Sequence, residues 1–274
     1  MTLPHLCREL QDGTRLCYVW FESMHTRVDL ALLGDGAESV LCETAEAIAL
    51  LLRRLEAVGN CYDPESELSR VNREAHRAQV ILSATLSTLL PARQRHHRLT
   101  DGLFDIAIDS DHYSDETFSQ IHLNENRQIT FNQPGIRLNL SGFLKGYALD
   151  CIRTELERRH VGHALINMGN SSVMALGRQP GGTHPWQVSH TAAGALPITL
   201  QDECLTTSGN DSDQRRHIIH PRSGRYVTGK RALALVTASG AEGEALSTAL
   251  FAAEPEERKR LVERFGVERL YLME

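Results

Sequence analysis

Residues 138–150 read LNLSGFLKGYALD. Leu138-Asn139-Leu140 has the alternation of a strand end, and Ser141-Gly142 turns the chain. Leu144, Ala148, Cys151, Ile152 and Leu156 then recur at three- and four-residue spacing, the period of a helix with one apolar face. Ser141 has the side chain of an N-cap. The spacing therefore predicts a helix from Ser141 to about His160, about 28 Å long at 1.5 Å per residue.

Upstream, Arg15 to Phe21 and Arg27 to Leu33 alternate apolar and polar residues, as half-buried strands do. Leu41, Ala45, Ile48, Leu51, Leu52 and Leu55 predict a helix between Ser39 and Val58. A second is expected over Leu82 to Arg95, bent or ended near Pro91. Residues 117–140 read as short strands joined at turns such as Asn124-Glu125-Asn126 and Pro134-Gly135. Downstream, glycine-punctuated strands are expected at 163–168, 172–177, 185–190 and 196–206. A strand over Ala232 to Ala238, helices near 244–252 and 255–264, and a strand near 267–272 complete the chain. Strands and helices come in groups rather than in strict alternation, which predicts an α+β fold. With no internal repeat and no dividing linker, residues 1–274 read as one domain, with room for two lobes around a cleft.

The 274 residues, 41% of them apolar, can enclose a sizeable core. Twenty-nine Lys and Arg against 35 Asp and Glu give a formal charge of −6, which argues against nucleic acid as a partner, since that needs a basic face. No apolar run approaches the ~20 residues of a spanning helix; the longest, around Ala45 to Leu52, is interrupted by Glu46. Membrane insertion is not expected. The start, MTLPHLCREL, has neither a basic region nor an apolar stretch, so the reading is a cytoplasmic protein without an export signal. Six cysteines (Cys7, Cys17, Cys42, Cys61, Cys151, Cys204) form no CxxC pair, which favours reduced, mostly buried thiols over disulfides or zinc.

Arginine is the default cation, and lysine occurs only at Lys145, Lys230 and Lys259. Lys145 falls in the first turn of the predicted helix, where free N–H groups and the dipole favour an anion. A cation there opposes the dipole, and an anionic ligand would relieve the conflict. The plainer alternative is a solvated lysine beside a packing glycine. Gly142 and Gly146 do not make a Walker loop. In residues 206–225, TTSGNDSDQRRHIIHPRSGR, His217 and His220 lack a third ligand at zinc spacing. One histidine acting as a general base, or a turn histidine bonded to backbone, fits better. In residues 240–251, GAEGEALSTALF, Glu244 and Thr248 share a helix face; oxygen donors of this kind suit Mg²⁺, or form an ordinary surface. The adjacent His96-His97 reads as a solvated face.

Taken in order, these three segments resemble the ApbE family of FAD:protein FMN transferases. So do CYDPESELSRVNR (61–73), TDGLFDIAI (100–108) and ALINMGN (164–170) with Trp186. The resemblance covers about residues 16–272. It implies an ApbE-like (T-fold-like) architecture of mixed or antiparallel sheets with packed helices. The implied activity is Mg²⁺-dependent transfer of FMN from FAD to a Ser or Thr of an acceptor flavoprotein, with release of AMP. Met24, Tyr62, Leu103, Phe104, Asp105, Asn139, Lys145 and Ile219 would line the FAD site. A backbone carbonyl near Gly142, with Glu244 and Thr248, would hold Mg²⁺, and His217 would be the general base.

Some positions depart from the family pattern. MGT reads Met24-His25-Thr26, the usual Asp reads Asn139, and the GGD-like turn reads Gly169-Asn170-Ser171. HxIDP reads His217-Ile218-Ile219-His220-Pro221, and the metal Asp reads Glu244, one methylene longer. They leave open two alternatives: a FAD pyrophosphatase giving FMN and AMP, and a flavin-binding or assembly protein without turnover.

Overall fold

The computed structural model describes residues 3–191, 197–210, 217–229 and 231–273. Three strands, β1 (His5–Glu9), β2 (Arg15–Ser23) and β3 (Thr26–Gly34), form a meander as their alternation predicts. The turn between β2 and β3 places Met24 at φ 50° and His25 at φ 56°, the left-handed pair that a two-residue hairpin needs. The chain then leaves the sheet for α1 (Glu38–Gly59), α2 (Glu67–Glu74), β4 (Val80–Ile81), α3 (Ala84–Leu99), β5 (Ile121–Leu123), β6 (Gln128–Phe131) and α4 (Leu144–Arg158). It returns through β7 (His163–Met168), β8 (Ser172–Leu176), β9 (Trp186–Val188), β10 (Ile198–Leu200) and β11 (Glu203–Gly209). The last elements are β12 (Ile219–His220), β13 (Arg225–Tyr226), β14 (Ala232–Thr237), α5 (Gly240–Ala252), α6 (Pro255–Phe265) and β15 (Leu270–Met273).

The main sheet has the order β1-β2-β3-β7-β8-β11-β14-β15, and every neighbouring pair is antiparallel. The fold is α+β. One sheet face, with Val28, Leu30, Leu32, Ile166, Met174 and Leu235, packs under α1, α4 and α5. The other, with Leu33, Val173, Ala175, Leu205 and Val236, is covered by Trp186, Ile198 and Leu200 of the β9–β10 pair. Strand β8 is buried along its whole length because both faces are covered. Full burial of each such Leu or Val contributes about 1.5–3 kcal/mol. Among the described residues, no helix is long and apolar enough to cross a membrane.

Several expectations are corrected. The helix after residue 140 begins at Leu144 with Phe143 at its cap position, not Ser141, because the Leu140 carbonyl already accepts from both Phe143 N and Leu144 N and winds residues 141–143 into a tight turn. The expected strand 196–206 is two strands, broken at Asp202, whose φ is 57°. Helix α3 runs through Pro91 to Leu99. Cys7 and Cys17 are disulfide-bonded rather than free; they face each other in the β1–β2 register, a pairing that spacing alone does not reveal.

Candidate functional site

Helix α5 is buried on nearly every side, because it is wedged between the sheet and α4. Small residues permit the approach: a Cβ on Gly146 would overlap the Gly240 carbonyl, and one on Gly243 would stand 2.6 Å from the hydroxyls of Thr206 and Thr237. Asp150 of α4 fastens the start of α5. Its carboxylate accepts from Ser239 Oγ at 2.8 Å, Gly240 N at 2.7 Å and Ala241 N at 3.0 Å. These contacts satisfy N–H groups that a helix start leaves unpaired.

The crossing sets Glu244 and Thr248 beside the turn that precedes Lys145. A Cβ on Gly142 would stand 3.8 Å from Thr248 Oγ1. Thr248 Oγ1 lies 3.3 Å from Ser208 Oγ, which is 2.8 Å from Ser247 Oγ. Ser172 Oγ donates to Glu244 Oε1 at 2.5 Å. Glu244 Oε2 is buried without a hydrogen-bond partner. Burial pushes the Glu244 carboxyl above the ordinary glutamate range, against the charge of Lys145, the Ser172 bond and the neighbouring Gly146 backbone N–H, which pull it down. The side chain is therefore buried, not the surface pair that the spacing also allowed. Lys145 Nζ donates to Ser171 Oγ, next in chain to the residue that holds Glu244.

Beside this crossing lies a cleft of about 90 Å³ whose lining includes Met24, His25, Glu56, Tyr62, Ser141 and Lys145. Glu56 of α1 holds the β2–β3 turn at its edge, accepting from Met24 N at 2.9 Å and Ser23 Oγ at 3.2 Å. His25 Nε2 lies 3.2 Å from Asn60 Nδ2 and 4.0 Å from Glu56 Oε1. Asn139 fixes the turn before α4 by accepting from Ser141 N at 2.9 Å. It donates to Asp109 Oδ2 at 2.6 Å and lies 3.4 Å from the Tyr62 hydroxyl. A carboxylate thus stands beside Asn139 although the residue itself is an amide.

Met24, Tyr62, Asn139, Lys145, Gly142, Glu244 and Thr248 therefore cluster in one region. Leu103 and Phe104 do not line this cleft; they are core residues, 3% and 4% exposed. Asp105 is buried and accepts from Ala107 N at 2.8 Å and Tyr113 Oη at 2.9 Å. Ile219 is half-buried in the β12–β13 hairpin, and His217 is exposed just before it. Residues 211–216 of the same segment lie outside the described residues. The His96-His97 pair is not a solvated face. His96 is 6% exposed against Phe104 and Phe143, and desolvation lowers its pKa to about 4. His97 stacks on Phe118 with ring centres 4.2 Å apart, and its Nδ1 lies 3.4 Å from Asp105 Oδ2. Glu56, Asp109 and Ser172 carry no motif that sets them apart in the sequence, and Asp150 and Ser171 sit inside quoted stretches without a role assigned to them; the tertiary contacts reveal all five.

The donors fit a hard divalent cation. An unpartnered buried carboxylate oxygen, a threonine hydroxyl and the backbone of a glycine turn are all oxygen ligands, as Mg²⁺ prefers. A cation would also remove the cost of an unsatisfied buried acceptor.

A model of the ApbE family matches residues 24–112 and 111–271. The chain is similar to the FAD:protein FMN transferase of Chlamydia pneumoniae, 24% identical over 210 residues, which span 66% of this chain and 66% of that protein. It is 32% identical over 152 residues to the FAD:protein FMN transferase of Rhodobacter capsulatus, but the match spans 51% of this chain and only 28% of that protein. In three dimensions it resembles the flavin transferase ApbE of Vibrio cholerae, with TM-score 0.78, 16% identity, and 98% and 97% of the two chains covered. The apo flavinyl transferase ApbE of Pseudomonas stutzeri gives TM-score 0.77, 19% identity and coverage of 100% and 95%. These structures establish a shared fold, and with the family match across most of the sequence, the chain belongs to the ApbE family.

Proposed function

We propose that the protein is a FAD:protein FMN transferase, one FAD-binding unit that moves FMN from FAD to a Ser or Thr hydroxyl of an acceptor flavoprotein and releases AMP. The observation that carries this reading is the juxtaposition of Glu244 Oε2, buried and unpaired, with Thr248 and the Gly142 turn beside Lys145. The names of the relatives supply the substrate class.

Lys145, in the first turn of α4, gives the diphosphate an ammonium partner at the helix end whose dipole favours an anion. Met24 and Tyr62 line the cleft that receives the rest of FAD, with Asn139 holding the turn, and Ile219 of the β12–β13 hairpin would add an apolar contact to the flavin. Leu103, Phe104 and Asp105, buried in the core, support the site through the chain that follows them, where the Ile106 carbonyl accepts from Asn139 N at 2.7 Å. Glu244, Thr248 and a carbonyl near Gly142 would hold Mg²⁺, which when bound neutralises charge on the diphosphate. His217 takes the proton of the acceptor hydroxyl as its oxygen bonds to the FMN-side phosphorus. The bond from that phosphorus to the AMP phosphate oxygen breaks, and AMP departs with the electron pair.

Incubating the purified chain with FAD, Mg²⁺ and a candidate acceptor tests this. Equal amounts of AMP and covalently bound flavin on the acceptor are expected. Free FMN with AMP would instead establish the pyrophosphatase reading, and intact FAD after prolonged incubation would establish a binding protein without turnover.

A further inference from the structure

At the edge of the main sheet, far from the flavin cleft along α1, four ligand-type side chains converge. Strand β1 sends His5 and Cys7 to one side, two residues apart. The first turns of α1 send Glu38 and Cys42 to one side, four residues apart. The imidazole nitrogen, carboxylate oxygen and two sulfurs all lie within 4.8 Å of one another. Bond lengths of about 2.0–2.3 Å in a tetrahedral zinc site put ligands roughly 3.3–3.8 Å apart, so closure needs movement of about 1 Å.

The imidazole is already oriented. His5 Nδ1 lies 2.8 Å from the Leu3 carbonyl, to which it donates, leaving the Nε2 lone pair 3.5 Å from Glu38 Oε1. Metal-bound histidines commonly anchor their other nitrogen to a backbone carbonyl in this way. Two thiolates, an imidazole and a carboxylate suit Zn²⁺ and not Mg²⁺. Cys7, however, is bonded to Cys17, the residue opposite it in β2. A disulfide sulfur is no thiolate ligand, so the four-ligand set exists only when that bond is open.

We propose that His5, Cys7, Glu38 and Cys42 form a Zn²⁺ site that is mutually exclusive with the Cys7–Cys17 disulfide, so that thiol redox state decides whether metal binds. A dithiol or phosphine reductant supplies two electrons; with two protons, the S–S bond becomes the Cys7 and Cys17 thiols and the reductant is oxidised. Metal binding then releases the protons of Cys7 and Cys42, while Cys17 remains a buried thiol. The ion fastens edge strand β1 to the start of α1. The same helix carries Glu56, 14 residues on from Cys42 and about 21 Å along its axis, at the flavin cleft.

Cobalt(II) is the probe, because thiolate–cobalt charge-transfer absorption reports sulfur ligation directly. Phosphine-reduced protein is expected to bind one equivalent with that absorption, and oxidised protein to show none. Cys42→Ser and His5→Ala should each weaken binding at least tenfold, and either suffices if the other fails to fold. Cys17→Ser, which frees Cys7 without being a ligand, should bind cobalt with no reductant present. Absence of the absorption in reduced wild-type protein, equal uptake by the oxidised form, or undiminished binding in a folded Cys42→Ser or His5→Ala variant would overturn the proposal.

Discussion

Ser172 donates to Glu244 Oε1 at 2.5 Å from the middle of the main sheet, leaving Oε2 of the same carboxylate buried and unpaired. The bond fixes the side chain's direction one helical turn before Thr248, whose hydroxyl faces the Gly142 turn. Because burial raises the Glu244 pKa above its ordinary value of 4.5, protonation favours the metal-free fold. That contribution is fully present below pH 4.5 and is lost as pH rises towards the folded-state value.

Glu244→Gln should therefore make the metal-free protein more stable than wild type at pH 7, with the advantage shrinking as pH falls towards 4.5 and absent below it. Added Mg²⁺ should raise the Tm of wild type and leave the variant unmoved. Thermal melts with and without Mg²⁺ check both; a variant that Mg²⁺ stabilises as much as the parent removes Glu244 from the metal site.

Asp150 offers three contacts to the start of α5. Asp150→Ala should cost about 2 kcal/mol, the upper end of the range for a lost cap. Urea unfolding measures it. A loss below a few tenths would mean that α5 holds its place without the carboxylate.

Gly146 and Gly240 let α4 and α5 meet backbone to backbone. Gly146→Ala should force the helices apart, destabilise by about 1–3 kcal/mol, and weaken Mg²⁺ binding by separating the Gly142 turn from Thr248. Calorimetric titration with Mg²⁺ reads the second effect; unchanged stability and affinity together would contradict this account of the crossing.

His96, held neutral with a pKa of about 4 against an ordinary 6.5, supplies an acid sensitivity of the fold. The unfolded chain takes up its proton below pH 6.5 and the folded chain does so only near 4. Stability is held above 6.5 and falls between these values, by at most about 1.4 kcal/mol per pH unit. His96→Phe should flatten the decline in urea midpoint between pH 7 and pH 4.5. An identical decline in both proteins would assign the acid sensitivity elsewhere.

The elements most legible in the sequence are those whose periodicity reflects one covered face. The alternation in β2 and β3 and the apolar stripe of α1 set their positions to within a few residues. Glu244 and Thr248 were readable as a pair, but not as buried, because α5 is enclosed by distant partners and its own pattern shows no polar face. The surroundings of His96 and His97 come from Phe104, Phe118 and Phe143, brought in by tertiary packing. Cys7 and Cys17 become neighbours only once the strand register is known. Asn139, a departure from the family carboxylate, has Asp109 at 2.6 Å, so charge absent at one position is present at the next side chain.

The most direct measurement is the rate of AMP release from FAD as Mg²⁺ is titrated, in wild type and in Glu244→Gln. Wild type should release AMP with saturable dependence on Mg²⁺, and the variant should be slower by about two orders of magnitude, the scale of losing a charge-stabilising group in phosphoryl transfer. Equal rates in the two proteins, or AMP release by wild type without any divalent ion, would contradict the account.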